Sequence, residues 1–338
     1  MNRLILLFAF LALAGCAKGA PPPVTPEAAA VTRPALPAFE PMAFLPANTF
    51  AVARVDVPRV LASPYFAWVE SALGSLEPDE SAKVMQAIDV LRTVSSVHIS
   101  LGPDERRPQP GVVLFQTSLD AGTLQAQFVD LSEEDDIVPL NLGGRTAFGD
   151  DQGAFVELED GWWLVGPREN VEAALVSPSL PAALSDADWN RASQRAALPA
   201  PMVEVVLLGR NEGMRQALRG SPLAPPEIEQ VRAGALQIDA TDGVQVRGVL
   251  LTDVPALAQR VVADVQAQLQ EAESEAPPFL PVQSLLQTVT VVAEGGDVLL
   301  DVNVPDATVR SFYAVVTGFL GLMQSGGSAG SPPPPVTP

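Results

Sequence analysis

The residues able to do chemistry in this 338-residue chain are few, and the types present exclude more than they permit. There is one cysteine, Cys16, and one histidine, His98. A zinc-type centre needs several Cys and His at set spacings, and no Ser/His/Asp relay can draw on a second imidazole. His98 lies in "SVHIS", where strand alternation sets Val97 and Ile99 on one face and the imidazole on the other, as a solvated or half-buried strand histidine. Nucleotide loops and the G-x-S-x-G elbow are absent. Two acidic runs, "SEEDD" (132–136) and "GDDQG" (149–153), offer oxygen ligands for calcium but lack the alternating spacing that wraps a loop round the ion. The first reads as a solvated loop; Asp150 and Asp151 read as turn formers. Glu70, Glu157 and Glu204 are scattered over separate elements and form no acid/base pair by spacing. Trp162-Trp163 places one indole on each face of a strand, one for the core and one for a neighbouring helix or a binding surface.

Cys16 has the most telling context. Met1-Asn2-Arg3 supplies a positive start, Leu4 to Ala14 is unbroken apolar sequence, and Gly15-Cys16 is followed by "PPPVTP" at 21–26. Eleven apolar residues are too few for a transmembrane helix, which takes roughly 20, and suit the middle of a signal peptide. Leu13-Ala14-Gly15-Cys16 resembles the lipobox of bacterial lipoproteins. That resemblance implies cleavage after residue 15 and acylation of Cys16, so that acyl chains such as palmitate anchor the protein to a membrane. Ala17 stands where an aspartate would often retain a lipoprotein at the inner membrane. The resemblance therefore implies an exported, outer-membrane protein facing the periplasm or the cell surface.

Composition narrows the partners. Forty Asp and Glu against 20 Lys and Arg give a formal charge of −20 with no basic run. Nucleic-acid binding and attraction to anionic headgroups both need clustered cations, so neither is expected. Hydrophobic residues make up 47%, enough for one large core or two moderate ones. A lone cysteine leaves no intramolecular disulfide, so packing alone must hold the fold.

Residues 16–45 are rich in Pro and Ala and read as a tether; residues 324–338 end in the same "PPPVTP" and read as a disordered tail. Between them the order of elements repeats. The strand "NTFAVARVDV" leads to helices over Pro58 to Leu73 and near 79–92, then the strands 94–102 and 111–118, then a helix from Leu119 to Asp130. Short strands follow, with Asp160-Gly161 as a hairpin turn, and then a helix from Pro167 to Leu175. From residue 200 comes a strand, then helical sequence with Met214 and Leu218, and a hairpin at Asp242-Gly243. Its second strand runs into a helix bearing Leu257, Val261, Val265 and Leu269. A hairpin at Gly295-Gly296 and a helix from Pro305 close the body. The matching helix of the first half carries Leu124 and Phe128.

The pattern predicts an α+β fold of two similar modules, 46–197 and 198–323, each an antiparallel sheet covered by helices, the two packed through apolar helix faces. With "FLPANTFAVARVDVPRVLASP", it is similar to uncharacterised tandem-module exported bacterial proteins, which imply no site residues. The reading is a non-catalytic binding or scaffolding module, without cofactor, contacting an envelope protein. A carboxylate-based hydrolase and a carrier of apolar ligand between the modules are the alternatives.

Overall fold

The computed structural model describes residues 39–73, 78–102, 109–132, 137–209, 230–275 and 282–326. Cys16 and its lipobox, Met214, Leu218, residues 133–136 and the tail 327–338 lie outside them. The fold is α+β, built on one twelve-stranded antiparallel sheet. In chain order the strands are β1 (Ala51–Asp56), β2 (Val94–Gly102), β3 (Gln109–Thr117), β4 (Val138–Leu142), β5 (Arg145–Gly149), β6 (Gly153–Glu157), β7 (Trp162–Pro167), β8 (Val203–Leu208), β9 (Val231–Asp239), β10 (Val244–Thr252), β11 (Val289–Glu294) and β12 (Asp297–Val304). The α-helices of the described residues are α1 (Val57–Ala62), α2 (Phe66–Leu73), α3 (Pro78–Leu91), α4 (Ala121–Ser132), α5 (Arg168–Val176), α6 (Ala187–Arg195), α7 (Pro255–Glu275), α8 (Val282–Leu286) and α9 (Asp306–Gly326).

Across the sheet the order is β11-β12-β10-β9-β8-β1-β2-β3-β7-β6-β5-β4. Starting from the β1–β8 junction, the first half runs β1-β2-β3-β7-β6 and the second runs β8-β9-β10-β12-β11, so the two halves repeat one strand order. The first half adds β5 and β4 beyond it. Helices α4 and α7 follow the third strand of each half, and α5 and α9 follow the last hairpin.

Alternation sends β-strand side chains to two helix-covered faces. On one, Val52, Leu114, Leu164, Val206, Ala235 and Leu251 meet Met42, Phe44, Val171 of α5 and Trp189 of α6. On the other, Val55, Val97, Phe115 and Trp163 meet Val60 of α1, Leu91 of α3 and Leu124 of α4, while Ala258 of α7 packs on Val291 and Val298. Sheets buried on both faces need near-continuous apolar strands, which explains runs such as "GVVLF".

Three expectations need correction. Met42, Phe44 and Leu45, assigned to the tether, are buried in the core; Pro41–Phe44 forms a 3-10 turn with Glu40 as its N-cap, so the folded body begins at or before Phe39. The single helix over 58–73 is two, parted at Ser63–Tyr65, where Ser63 turns to extended backbone as the C-cap of the first and its hydroxyl bonds the Ala240 carbonyl. The halves do not meet through helix faces alone: β1 pairs with β8 from Ala51↔Leu207 to Val55↔Val203. Helix contacts reinforce this seam. Trp68 of α2 stacks on Tyr313 of α9 at 3.9 Å and 8°, and α6, placed in the first module by its position in the chain, buries Trp189, Ala192 and the following Ala196 with Ala233 and Ala235 of β9.

The Asp160-Gly161 turn is as expected. Its φ values of 52° and 75° match a type I′ hairpin, and a Cβ on Gly161 would sit 2.5 Å from the Thr117 carbonyl oxygen.

Candidate functional site

The sheet gathers polar residues that lie far apart in the chain into one row. Register places His98 of β2 beside Arg54 of β1, Arg54 beside Glu204 of β8, and Glu204 beside Gln237 of β9. Gln237 then faces Arg247 of β10, Arg247 faces Asp301 of β12, and Asp301 faces Thr290 of β11. Each strand contributes one residue to the same sheet face, the one crossed by α6.

Glu204 is the centre of the row. Its Oε1 accepts from the Ser193 hydroxyl of α6 at 2.6 Å and from Gln237 Nε2 at 2.9 Å. Its Oε2 faces Arg54 Nη1 at 3.5 Å. Gln237 Oε1 in turn accepts from the Leu198 backbone N–H at 2.7 Å. Arg247 reaches Asp301 at 3.2 Å and the Ala197 carbonyl at 2.8 Å. Both carboxylate oxygens and both ends of the Gln237 amide are thus engaged within the row, with α6 and with the segment that follows it.

His98 occupies the row's first-half end. Nδ1 lies 2.9 Å from Met42 Sδ and Nε2 2.9 Å from Ser96 Oγ, with the Trp162 ring edge-on at 5.3 Å. Burial, reinforced by the Arg54 charge and opposed by Glu204, lowers its pKa from 6.5 to about 4. The imidazole is therefore neutral at physiological pH. It stands two strands from Glu204, about 10 Å at ordinary strand spacing, too far to share a proton with the Ser193–Glu204 pair directly.

A second network seats α6. Asp188, 4% exposed, takes Arg232 of β9 at 2.6 Å, and Arg232 also holds Asp253. Asp297, 1% exposed, takes Arg191 at 2.5 Å and Arg195 at 3.1 Å, while Arg195 reaches Glu294 at 2.6 Å. These contacts fix the helix to β9, β11 and β12.

The other candidates fall elsewhere. Asp150 Oδ1 accepts the backbone N–H groups of Gln152 and Gly153 at 2.7 and 2.6 Å, the turn role its sequence implies. Glu70 pairs with Arg92 at 2.7 Å, and Glu157 is exposed at the end of β6. Trp163 is fully buried and Trp162 half-buried against His98. Among the described residues no three of His, Cys, Asp and Glu form a metal-holding group, and no helix is long and apolar enough to cross a membrane. Sequence reasoning left Glu204 unpaired and overlooked α6 altogether. The helix had a signal in Asp186, whose side chain caps it, followed by Trp189, Ala192 and Ala196 at helical spacing.

No protein-family model and no curated protein matches the chain. Among solved structures it is similar to crystal form III of TP0453, at 10% identity and a TM-score of 0.48, over 82% of this chain and 98% of that one. Crystal form IV of the same protein gives 0.46 over 82% and 96%.

Proposed function

We propose that the chain is a lipid-anchored protein of the bacterial cell envelope, held by acyl chains on Cys16, whose folded body acts as a non-catalytic binding or scaffolding platform. The observation that carries the non-catalytic part is the state of Glu204. A general base needs a free lone pair beside its substrate, and this carboxylate faces Ser193, Gln237 and Arg54. The cluster acts as a joint between the halves.

The anchor rests on the apolar run 4–14 and on Leu13-Ala14-Gly15-Cys16. Two or more acyl chains give stable membrane attachment, at about 0.8 kcal/mol per buried methylene. Ala17 supports residence at the outer membrane. The charge of −20 favours a protein partner over nucleic acid or an anionic bilayer surface.

Native mass spectrometry of the protein extracted from its own envelope tests the reading. Acylated chain, free or with protein adducts and without a stoichiometric small molecule, is the expected result. A stoichiometric apolar ligand would replace the platform with a carrier.

A further inference from the structure

The two edges of the sheet are unlike. At one, β4 is a five-residue strand carrying Pro139, which offers no N–H to a neighbour, a common protection against edge pairing. At the other, β11 pairs with β12 in unbroken register from Val289↔Val302 to Glu294↔Asp297, without proline or bulge. Its sequence is "VTVVAE", and Val292 is 41% exposed. In the first half the corresponding strand, β6, has β5 on its outer side; among the described residues β11 has no strand there.

The ladder identifies which groups of β11 face outward. The Asn303 N–H donates to the Thr288 carbonyl at 3.2 Å, so Thr288 and Asn303 form a hydrogen-bonded pair. Antiparallel pairing alternates bonded and non-bonded residues, which makes Thr290, Val292 and Glu294 the inward-bonding ones. The N–H and C=O of Val289, Val291 and Ala293 point to the open edge.

These three are self-complementary. We infer that β11 pairs antiparallel with β11 of a second copy of this chain about a two-fold axis at Val291, joining two twelve-stranded sheets. Val291 faces its own counterpart, Val289 faces Ala293, and on the opposite sheet face Thr290 lies beside Val292. No charge opposes a like charge among these pairs, and Glu294, the only charged residue of the strand, is already paired with Arg195. Isologous contacts of this kind close at two subunits. The pairing stands independently of the Cys16 anchor, because none of its residues belongs to the N-terminal segment.

Sedimentation of the full chain, purified in density-matched detergent, reads the outcome directly. A dimer at micromolar concentration is expected. Val291→Pro deletes an outward N–H that the chain's own ladder does not use; it removes both bonds at the axis and weakens association about ten- to hundred-fold. Should that variant fold poorly, Thr290→Cys with Val292→Cys keeps the test open: air oxidation gives a disulfide-linked dimer that wild type does not form. A wild-type chain that sediments as monomer at tens of micromolar overturns the inference. So does a dimer that persists unchanged in Val291→Pro, or one whose paired cysteines stay free. Cys16→Ser changes acylation without changing association, which separates this result from the fate of the anchor.

Discussion

Arg54 and Glu204, 150 residues apart in sequence, stand directly opposite each other in the register of β1 and β8, their side chains 3.5 Å apart. They mark the line along which the halves become one sheet. The partners are unequal: the Arg54 side chain is 47% exposed and that of Glu204 only 15%. Glu204→Ala strands the Ser193 hydroxyl and the Gln237 amide, and is expected to cost about 1–3 kcal/mol. Arg54→Met removes a long, screened ion pair and should stay within about 1 kcal/mol. Urea unfolding of both variants checks the asymmetry; equal losses would make the pair itself, and not the Glu204 cluster, the fastening.

His98 gives the fold a pH signature. Its pKa falls from 6.5 in the unfolded chain to about 4 in the folded one, so the native state binds fewer protons between those values. The stability it contributes is fully present above about pH 6.5 and drains away as pH falls towards 4. Up to about 3 kcal/mol is at stake. His98→Gln should flatten the stability profile between pH 6.5 and 4 relative to wild type, measured by chemical denaturation at a series of pH values. Parallel profiles would show that the imidazole is not desolvated.

Helix α7 separates a core position from a peripheral one on the same face. Leu257 is 2% exposed, while Val261 is half-buried against the cluster of Val291 and Val298. Leu257→Asp buries an unpaired carboxylate and should cost more than about 4 kcal/mol. Val261→Asp leaves the carboxylate within reach of water and should cost about 1–2 kcal/mol. Thermal melts that rank the two in the opposite order would mean the helix is seated with another face inward.

The sequence is most readable where the signal is local. Asp160-Gly161, Asp242-Gly243 and Gly295-Gly296 mark hairpins because tight turns call for positive φ, which Asp160, Gly161, Gly243 and Gly295 adopt, and the strand-to-helix steps after β3 and β10 follow from a change of period from 2 to 3.6. The seam is not local. Nothing in "AVARVD" or "VEVVLL" says that the two strands are neighbours, because both are apolar on each face, as any central strand must be. Pairing across 150 residues emerges only in the assembled sheet. For the same reason Glu204 looked isolated: its partners come from β1, β9 and α6, which only the assembled sheet brings together. Strand β4 escaped notice because Pro139 argues against a strand except at an edge, which is where it lies.

Membrane attachment, and with it the envelope role, rests on Cys16. Labelling cells with a palmitate analogue and comparing wild type with Cys16→Ser tests it directly, with the mature N-terminus read by mass spectrometry. Label on wild type alone, on a chain that begins at Cys16, is the predicted result; equal labelling of both chains, or a mature N-terminus at another residue, would contradict it.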